Sequence, residues 1–319
     1  MKYSKNIFLL CVISLAVLLS CQQAKDPRQE ARKVKVIATI FPIYDFARNI
    51  GGDKINLTML LPPGIEIHHY ELRPDDIVKV TKADIFLFTN FELEQWAYKI
   101  INAADKNTNM LAVETGKGAV LIPLNSQKKQ ADDDDFGGGI SRFDPHIWMD
   151  IDNAQKMVDN ITDAFIQKDS SNSDYYKKNA HDYKLKLAAL DERYRNELSE
   201  CKSKTILHAG HWAFAYLAKK NNLQYIAASN VFADAEPSPQ QIIALIEQLK
   251  KEKIPYIYYE DMTNPRLAQT IAKETRAGLL KLNNGHGVKK TDIEAGASFI
   301  SVMEKNLINL KKGLRCPKK

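Results

Sequence analysis

Seven histidines punctuate this 319-residue chain: His68, His69, His146, His181, His208, His211 and His286. Neutral imidazole is a good ligand for zinc, copper and nickel, so histidines that converge could hold a transition metal. Context separates them. His68 follows Leu61-Pro62-Pro63-Gly64, a stiff turn able to hold a ring in place. His146 lies in Phe143-Asp144-Pro145-His146-Ile147-Trp148-Met149-Asp150, where a proline-fixed turn precedes an amphipathic helix with Asp152 as its cap. Asp144 or Asp150 could orient that ring through its second nitrogen, as metal-bound histidines require. His211 stands between a strand at 205–208 and a helix at 212–220. His286 sits in Asn283-Asn284-Gly285-His286-Gly287, after a strand at 278–282. A lone histidine is more often structural, so the argument rests on these four together. They occupy connections after strands or at helix starts, two in each half of the chain. Ligands of open α/β sheets bind beyond the carboxyl ends of strands, which points to a cleft between two lobes.

Such a set could bind a metal or use it. Four neutral imidazoles suit a closed tetrahedral zinc site, whereas manganese prefers harder oxygen ligands. Zinc hydrolysis needs three ligands, an open position and a general base. Glu66 and Glu260 are candidate bases, but the chain contains no HExxH. A closed site would capture an ion without activating water.

The elements that must position these residues alternate along the chain. Strand candidates fall at 34–41, 55–61, 85–89 and 110–114, then at 205–208, 224–229, 256–259 and 278–282. Helical patterns lie between them, among them 91–102, 239–251 and 265–275. Ser238-Pro239 with Gln241 reads as a capping box with proline at the first helical position. Asn264-Pro265 repeats the cap-then-proline signal, and Thr291 with Glu294 opens the last helix. This alternation predicts an α/β fold of two lobes, each with a mostly parallel sheet flanked by helices. Tyr176, Ala180, Tyr183, Leu187, Leu190 and Tyr194 recur at helical spacing, and no glycine or proline interrupts 173–202. One long rigid helix joining the lobes, or two shorter helices with a kink, would satisfy that pattern.

Composition limits the function classes. Hydrophobic residues make up 45% and charged residues 26%, which excludes a mainly disordered chain and a collagen-like fibre. The net charge of +6 falls to +4 without Lys2 and Lys5, a weak and scattered excess that argues against nucleic acid as a partner. Residues 1–20 read as an export signal, with Lys2 and Lys5 ahead of an apolar run from Ile7 to Leu19. Leu18-Leu19-Ser20-Cys21 looks like a lipobox, with Cys21 as the lipidated residue and 21–33 as a tether. Exportation makes a Cys201–Cys316 disulfide plausible, though two unrelated thiols would fit the spacing equally well. An acidic, glycine-rich loop at 125–142 cannot form a core; it is either a solvated surface loop or a loose cation holder.

Taken in order, these segments resemble the zinc- and manganese-binding solute receptors of bacterial ABC importers, the ZnuA/TroA-like family. The matching blocks are Pro63-Gly64 with His68 and Tyr70-Glu71; the Asp144–Asp150 segment; His211-Trp212-Ala213-Phe214-Ala215-Tyr216-Leu217-Ala218; and Glu236-Pro237-Ser238-Pro239. The resemblance implies a non-enzymatic, monomeric receptor with metal held between two lobes, 34–172 and 203–319, joined by the helix at 173–202. It implies ligands at His68, His146 and His211. From the residues themselves, Asp144 could orient His146, and Glu66 or Glu260 could balance the ion's charge. Family members often carry aspartate at a fourth position where this chain has Asn283, so His286 is the expected fourth ligand, with water or a carboxylate as the alternative. His69, beside the ligand, is left out of the metal shell. The expected cargo is Zn2+, with Mn2+ the weaker candidate. The implied partners are an importer's permease and ATPase, with the receptor anchored by lipid to the outer side of the cell membrane or in the periplasm. A manganese receptor and a surface adhesin of the same family are the other readings, with a zinc hydrolase less favoured.

Overall fold

The computed structural model describes residues 32–65, 67–104, 109–124, 142–231, 237–260 and 265–317. The signal peptide, Cys21, most of the tether, the acidic loop at 125–141 and Glu66 lie outside the described residues. The elements in chain order are β1 Val34–Ala38, α1 Phe41–Gly51, β2 Ile55–Met59, α2 Pro74–Thr81, β3 Ile85–Phe88, α3 Ala97–Ala103 and β4 Leu111–Glu114. Next come α4 Ile151–Lys168 and α5 Ser173–Leu198. The second series is β5 Thr205–His208, α6 Ala215–Lys220, β6 Gln224–Ala227, α7 Pro239–Glu252, β7 Tyr256–Tyr259, α8 Arg266–Thr275, β8 Gly278–Lys281, α9 Lys290–Glu294 and α10 Phe299–Gly313. Among the described residues no helix is long and apolar enough to cross a membrane.

The strands form two four-stranded sheets of identical topology, β2-β1-β3-β4 and β6-β5-β7-β8, with every pairing parallel. β3 and β5 are buried at every position, as expected of parallel strands covered on both faces. In each sheet the order reverses direction beside the first strand, which opens a crevice at the carboxyl ends.

α5 is one uninterrupted helix of 26 residues, about 39 Å long at 1.5 Å per residue. Tyr176, Ala180, Tyr183, Leu187, Leu190, Tyr194 and Leu198 form its buried stripe. Its tyrosine hydroxyls stitch the two lobes to it. Tyr183 donates to Asp45 in α1 at 3.2 Å, and Tyr194 donates to the Met303 carbonyl in α10 at 2.6 Å. Asp45 also accepts from the Phe299 backbone at 2.9 Å, so one buried carboxylate joins α1, α5 and α10. Past α5, a Cys201–Cys316 disulfide ties the helix exit to the chain's last described turn.

Four sequence expectations are corrected. The helix expected at 91–102 begins only at Ala97, because residues 91–93 are turned by Asn90, whose side chain accepts from the Leu93 backbone. The helix expected from 212 begins at Ala215, because the Trp212 and Ala213 backbone donors go to Asn230 and the Tyr225 hydroxyl. Asp150, not Asp152, caps α4 by accepting from the Asp152 backbone at 2.8 Å. Thr291 and Glu294 fall in the five-residue α9, and Ser298 caps the last helix instead. The Ser238 capping box with Gln241 forms as expected.

The carboxyl ends of β1 and β3 are tied by Glu94, which is fully buried. It accepts from the Thr39 hydroxyl at 2.6 Å, the Thr89 backbone at 3.0 Å and hydroxyl at 3.1 Å, and the Asn90 backbone at 3.1 Å. Burial pushes its carboxyl up to about 7, against the pull of those donors. The folded state thus holds this proton more tightly than the unfolded chain does. Its stabilising contribution is present below the ordinary value of 4.5 and is lost as pH rises through about 7. Urea unfolding at pH 5, 6, 7 and 8 should show the parent losing stability relative to Glu94→Gln as pH rises. A difference that is flat with pH would contradict this assignment.

Candidate metal centre

Each of the four loop histidines reaches the same point by a different route. His68 lies in the 3-10 turn Ile67–His69, anchored by buried Ile67 and preceded by Gly64, whose φ of +87° closes the Pro62-Pro63-Gly64 turn. His146 immediately precedes the 3-10 turn Ile147–Met149, whose three residues are all buried. His211 stands three residues beyond the end of β5. His286 stands in the loop after β8, next to Gly285 at φ +92°.

One ligand atom from each of His68, His146, His211 and His286 lies within 4.8 Å of those of the other three. All six pairs of ring centroids are 5.2–6.0 Å apart. His146, His211 and His286 are buried, and His68 is partly exposed at the rim. Neither His181, exposed on α5, nor His208, buried at the end of β5, belongs to this group.

Two carboxylates lie against the rings. His146 Nδ1 lies 2.9 Å from Asp144 Oδ1, which also accepts from the His146 backbone at 2.9 Å. His211 Nδ1 lies 2.9 Å from Glu260 Oε1. The hydrogen bond to Asp144 places the His146 proton on Nδ1 and leaves the lone pair on its Nε2. The Nε2 atoms of His146 and His211 are 3.3 Å apart. A proton or a metal ion between them would hold such a contact. Two nitrogens held tetrahedrally by zinc at about 2.0–2.1 Å would stand about 3.3–3.4 Å from each other.

The electrostatics favour the same occupant. Burial would raise the Glu260 carboxyl, but the His211, His208 and His146 rings beside it hold it below its ordinary value. Burial, reinforced by the His211, His146 and His68 rings, holds His286 well below the usual histidine range, so its ring is neutral at pH 7. Among the described residues neither nitrogen of the buried His286 ring has a hydrogen-bond partner, a costly state for a polar group. A divalent ion would satisfy the nitrogen that carries the lone pair. Four neutral rings, two carboxylates and that ion also sum to zero charge.

Asp144 and Glu260 stand where supporting groups were expected, whereas Asp150 is spent on capping α4. Asn283 accepts from the Gly285 backbone at 2.8 Å, shaping the loop. Three contributors went unnoticed at the sequence level. The Trp148 indole donates to the Asn284 carbonyl at 2.6 Å, and the Asn284 amide donates to Glu260 Oε2 at 3.1 Å. His208 Nε2 lies 3.4 Å from Glu260 Oε1, and burial pushes this ring down to about 4. The position of His208 as the last residue of a strand was a signal for it; nothing local marked the other two.

Comparison with known proteins gives a consistent picture. Residues 36–313 match the family described as zinc-uptake complex component A, periplasmic. The zinc-binding lipoprotein AdcA of Streptococcus pneumoniae serotype 4 is 34% identical over 307 residues, covering 96% of this chain and 60% of the relative. The chain therefore spans less than two thirds of that relative's length. The high-affinity zinc uptake system protein ZnuA of Bacillus subtilis is 29% identical and is covered at 95%, as is this chain. The crystal structure of the Zn(II)-bound ZnuA-like domain of the S. pneumoniae AdcA superposes with a TM-score of 0.75 at 33% identity, covering 89% of this chain and 99% of that one.

Proposed function

The chain belongs to the zinc-uptake complex component A family, and on that premise we propose that it captures zinc outside the cytoplasm and hands it to an ABC importer. The observation that carries this reading is the convergence of one ligand atom from each of His68, His146, His211 and His286 within 4.8 Å, with the Nε2 atoms of His146 and His211 3.3 Å apart. His68 and His286 supply the remaining two ligands. Asp144 and Glu260 hold the first two rings in the metal-binding tautomer and offset the ion's charge. The lobes are 34–172 and 203–319, with 173–202 as the rigid connection between them. A filled four-nitrogen shell leaves no open position for water, so the protein acts as a binding component and not as a hydrolase. Its partners are the importer's permease and ATPase, and lipid on Cys21 keeps it on the outer side of the membrane.

Nitrogen-only ligation selects zinc over manganese, because manganese favours oxygen ligands. Titration calorimetry of metal-free protein beginning at residue 22 should show one tight zinc site per chain. Manganese should bind more weakly and fail to displace zinc. Tighter binding of manganese would overturn the proposal.

The fourth ligand has its own test. His286→Ala should leave three histidines plus water and weaken zinc about 10- to 1000-fold, or about 1.4–4 kcal/mol. His181→Ala, on the exposed face of α5, should bind as the parent does. If His286→Ala binds zinc unchanged while Glu66→Gln binds it less well, the site has three histidines closed by a carboxylate.

A further inference from the structure

His146 and His286 come from opposite halves of the chain, and the hydrogen bond that fastens their two loops together is made by neither. It runs from the Trp148 indole Nε1 to the Asn284 carbonyl, at 2.6 Å. Trp148 is two residues beyond His146, and Asn284 is two residues before His286. The indole is fully buried, so its N–H has no access to water and depends on this acceptor. Its ring also stands edge-on to His286, with centroids 6.2 Å apart, and close to His146, at 5.5 Å.

The Asn283–Gly287 loop has few other means of holding His286. The Asn284 side chain accepts from the backbones of His286 and Gly287, at 3.2 and 3.4 Å, which sets the loop's internal shape. Asn306 receives the Asn283 backbone N–H and donates to its carbonyl, which fixes the loop's entry to its own half of the chain. The His286 ring itself has no hydrogen bond among the described residues. Its placement toward the other three histidines therefore depends on the backbone on which it rides. That backbone passes close under the indole: a Cβ added at Gly285 would lie 3.3 Å from Trp148 Nε1 and 3.4 Å from Pro42 Cγ. Gly285 also sits at φ +92°, a conformation that side-chain-bearing residues rarely adopt.

We infer that Trp148 is a positioning residue for zinc capture: its indole N–H, bonded to the Asn284 carbonyl, carries the His286 ligand into register with His146. This rests on the reading of the four histidines as the zinc shell. His146 and His286 are then coupled through a hydrogen bond outside the shell. Losing the bond should leave His68, His146 and His211 in place while His286 disengages.

The test is a double-mutant cycle read by competition with a chromophoric zinc chelator. Trp148→Phe keeps a large aromatic ring and deletes the donor. It should weaken zinc about 5- to 50-fold. His286→Ala should weaken it about 10- to 1000-fold, and the double variant should be no weaker than His286→Ala by more than about 3-fold, since contacts acting through one another are not additive. The cobalt-loaded proteins provide a second readout. Trp148→Phe should lose the visible spectrum of an ion held by four nitrogens and take on that of His286→Ala, in which water replaces one imidazole. Gly285→Ala, which presses a methyl group toward the indole, should shift the spectrum the same way. Three results would overturn the inference: Trp148→Phe binding zinc as the parent does, the two losses multiplying in the double variant, or a cobalt spectrum unchanged by Trp148→Phe. Failure of the underlying reading is distinguishable, because His286→Ala itself would then match the parent.

Discussion

The 3.3 Å approach of the His146 and His211 Nε2 atoms, brought together from opposite halves of the chain, is the contact around which this site is organised. Asp144 holds the His146 proton on the far side of its ring, and Glu260 lies 2.9 Å from His211 Nδ1. Burial works against the Glu260 carboxylate, and the rings beside it hold its carboxyl below the ordinary value. Each part of the arrangement is costly alone. Together with a divalent ion the charges cancel, so affinity for the ion is built into the unfavourable state of the site without it.

The fold supplies the rigidity that such an arrangement demands. Two parallel sheets share one strand order, and the four converging histidines stand outside their strands, on the connections between elements. α5 holds the two halves apart by a fixed distance. Its tyrosines bond to Asp45 and to the Met303 carbonyl, so the helix is fastened to both sides by groups that are themselves buried. Near the site, Tyr216 of α6 accepts from the Ile122 backbone and donates to the Asp144 carbonyl, at 3.0 and 2.8 Å. Lys220 of the same helix lies 3.3 Å from Asp150, the cap of α4. Cross-links of this kind fasten one half of the chain to the other close to the histidine cluster.

Much of this was legible in the sequence, for physical reasons. Strand–helix alternation and the absence of glycine or proline in α5 depend on local periodicity, and the buried stripe from Tyr176 to Tyr194 was readable residue by residue. The histidines could be sorted because strand-to-helix connections are where α/β ligands bind. Element edges were harder. Helix α6 starts late because the Ala213 backbone bonds to Tyr225, a partner twelve residues away that no local signal announces. The same limit hid Trp148 and Asn284, whose roles arise only when 148 and 284 meet in space. A tautomer is likewise a tertiary property: Asp144 is near His146 in the chain, but Glu260 reaches His211 only through the sheet.

X-ray absorption at the zinc edge, on protein loaded with one equivalent of zinc, addresses the central claim most directly. The account predicts a four-coordinate ion with imidazole nitrogens alone, at about 2.0–2.1 Å, and the multiple-scattering pattern of four rings. Three nitrogens with an oxygen neighbour, or a coordination number of five or six, would contradict it.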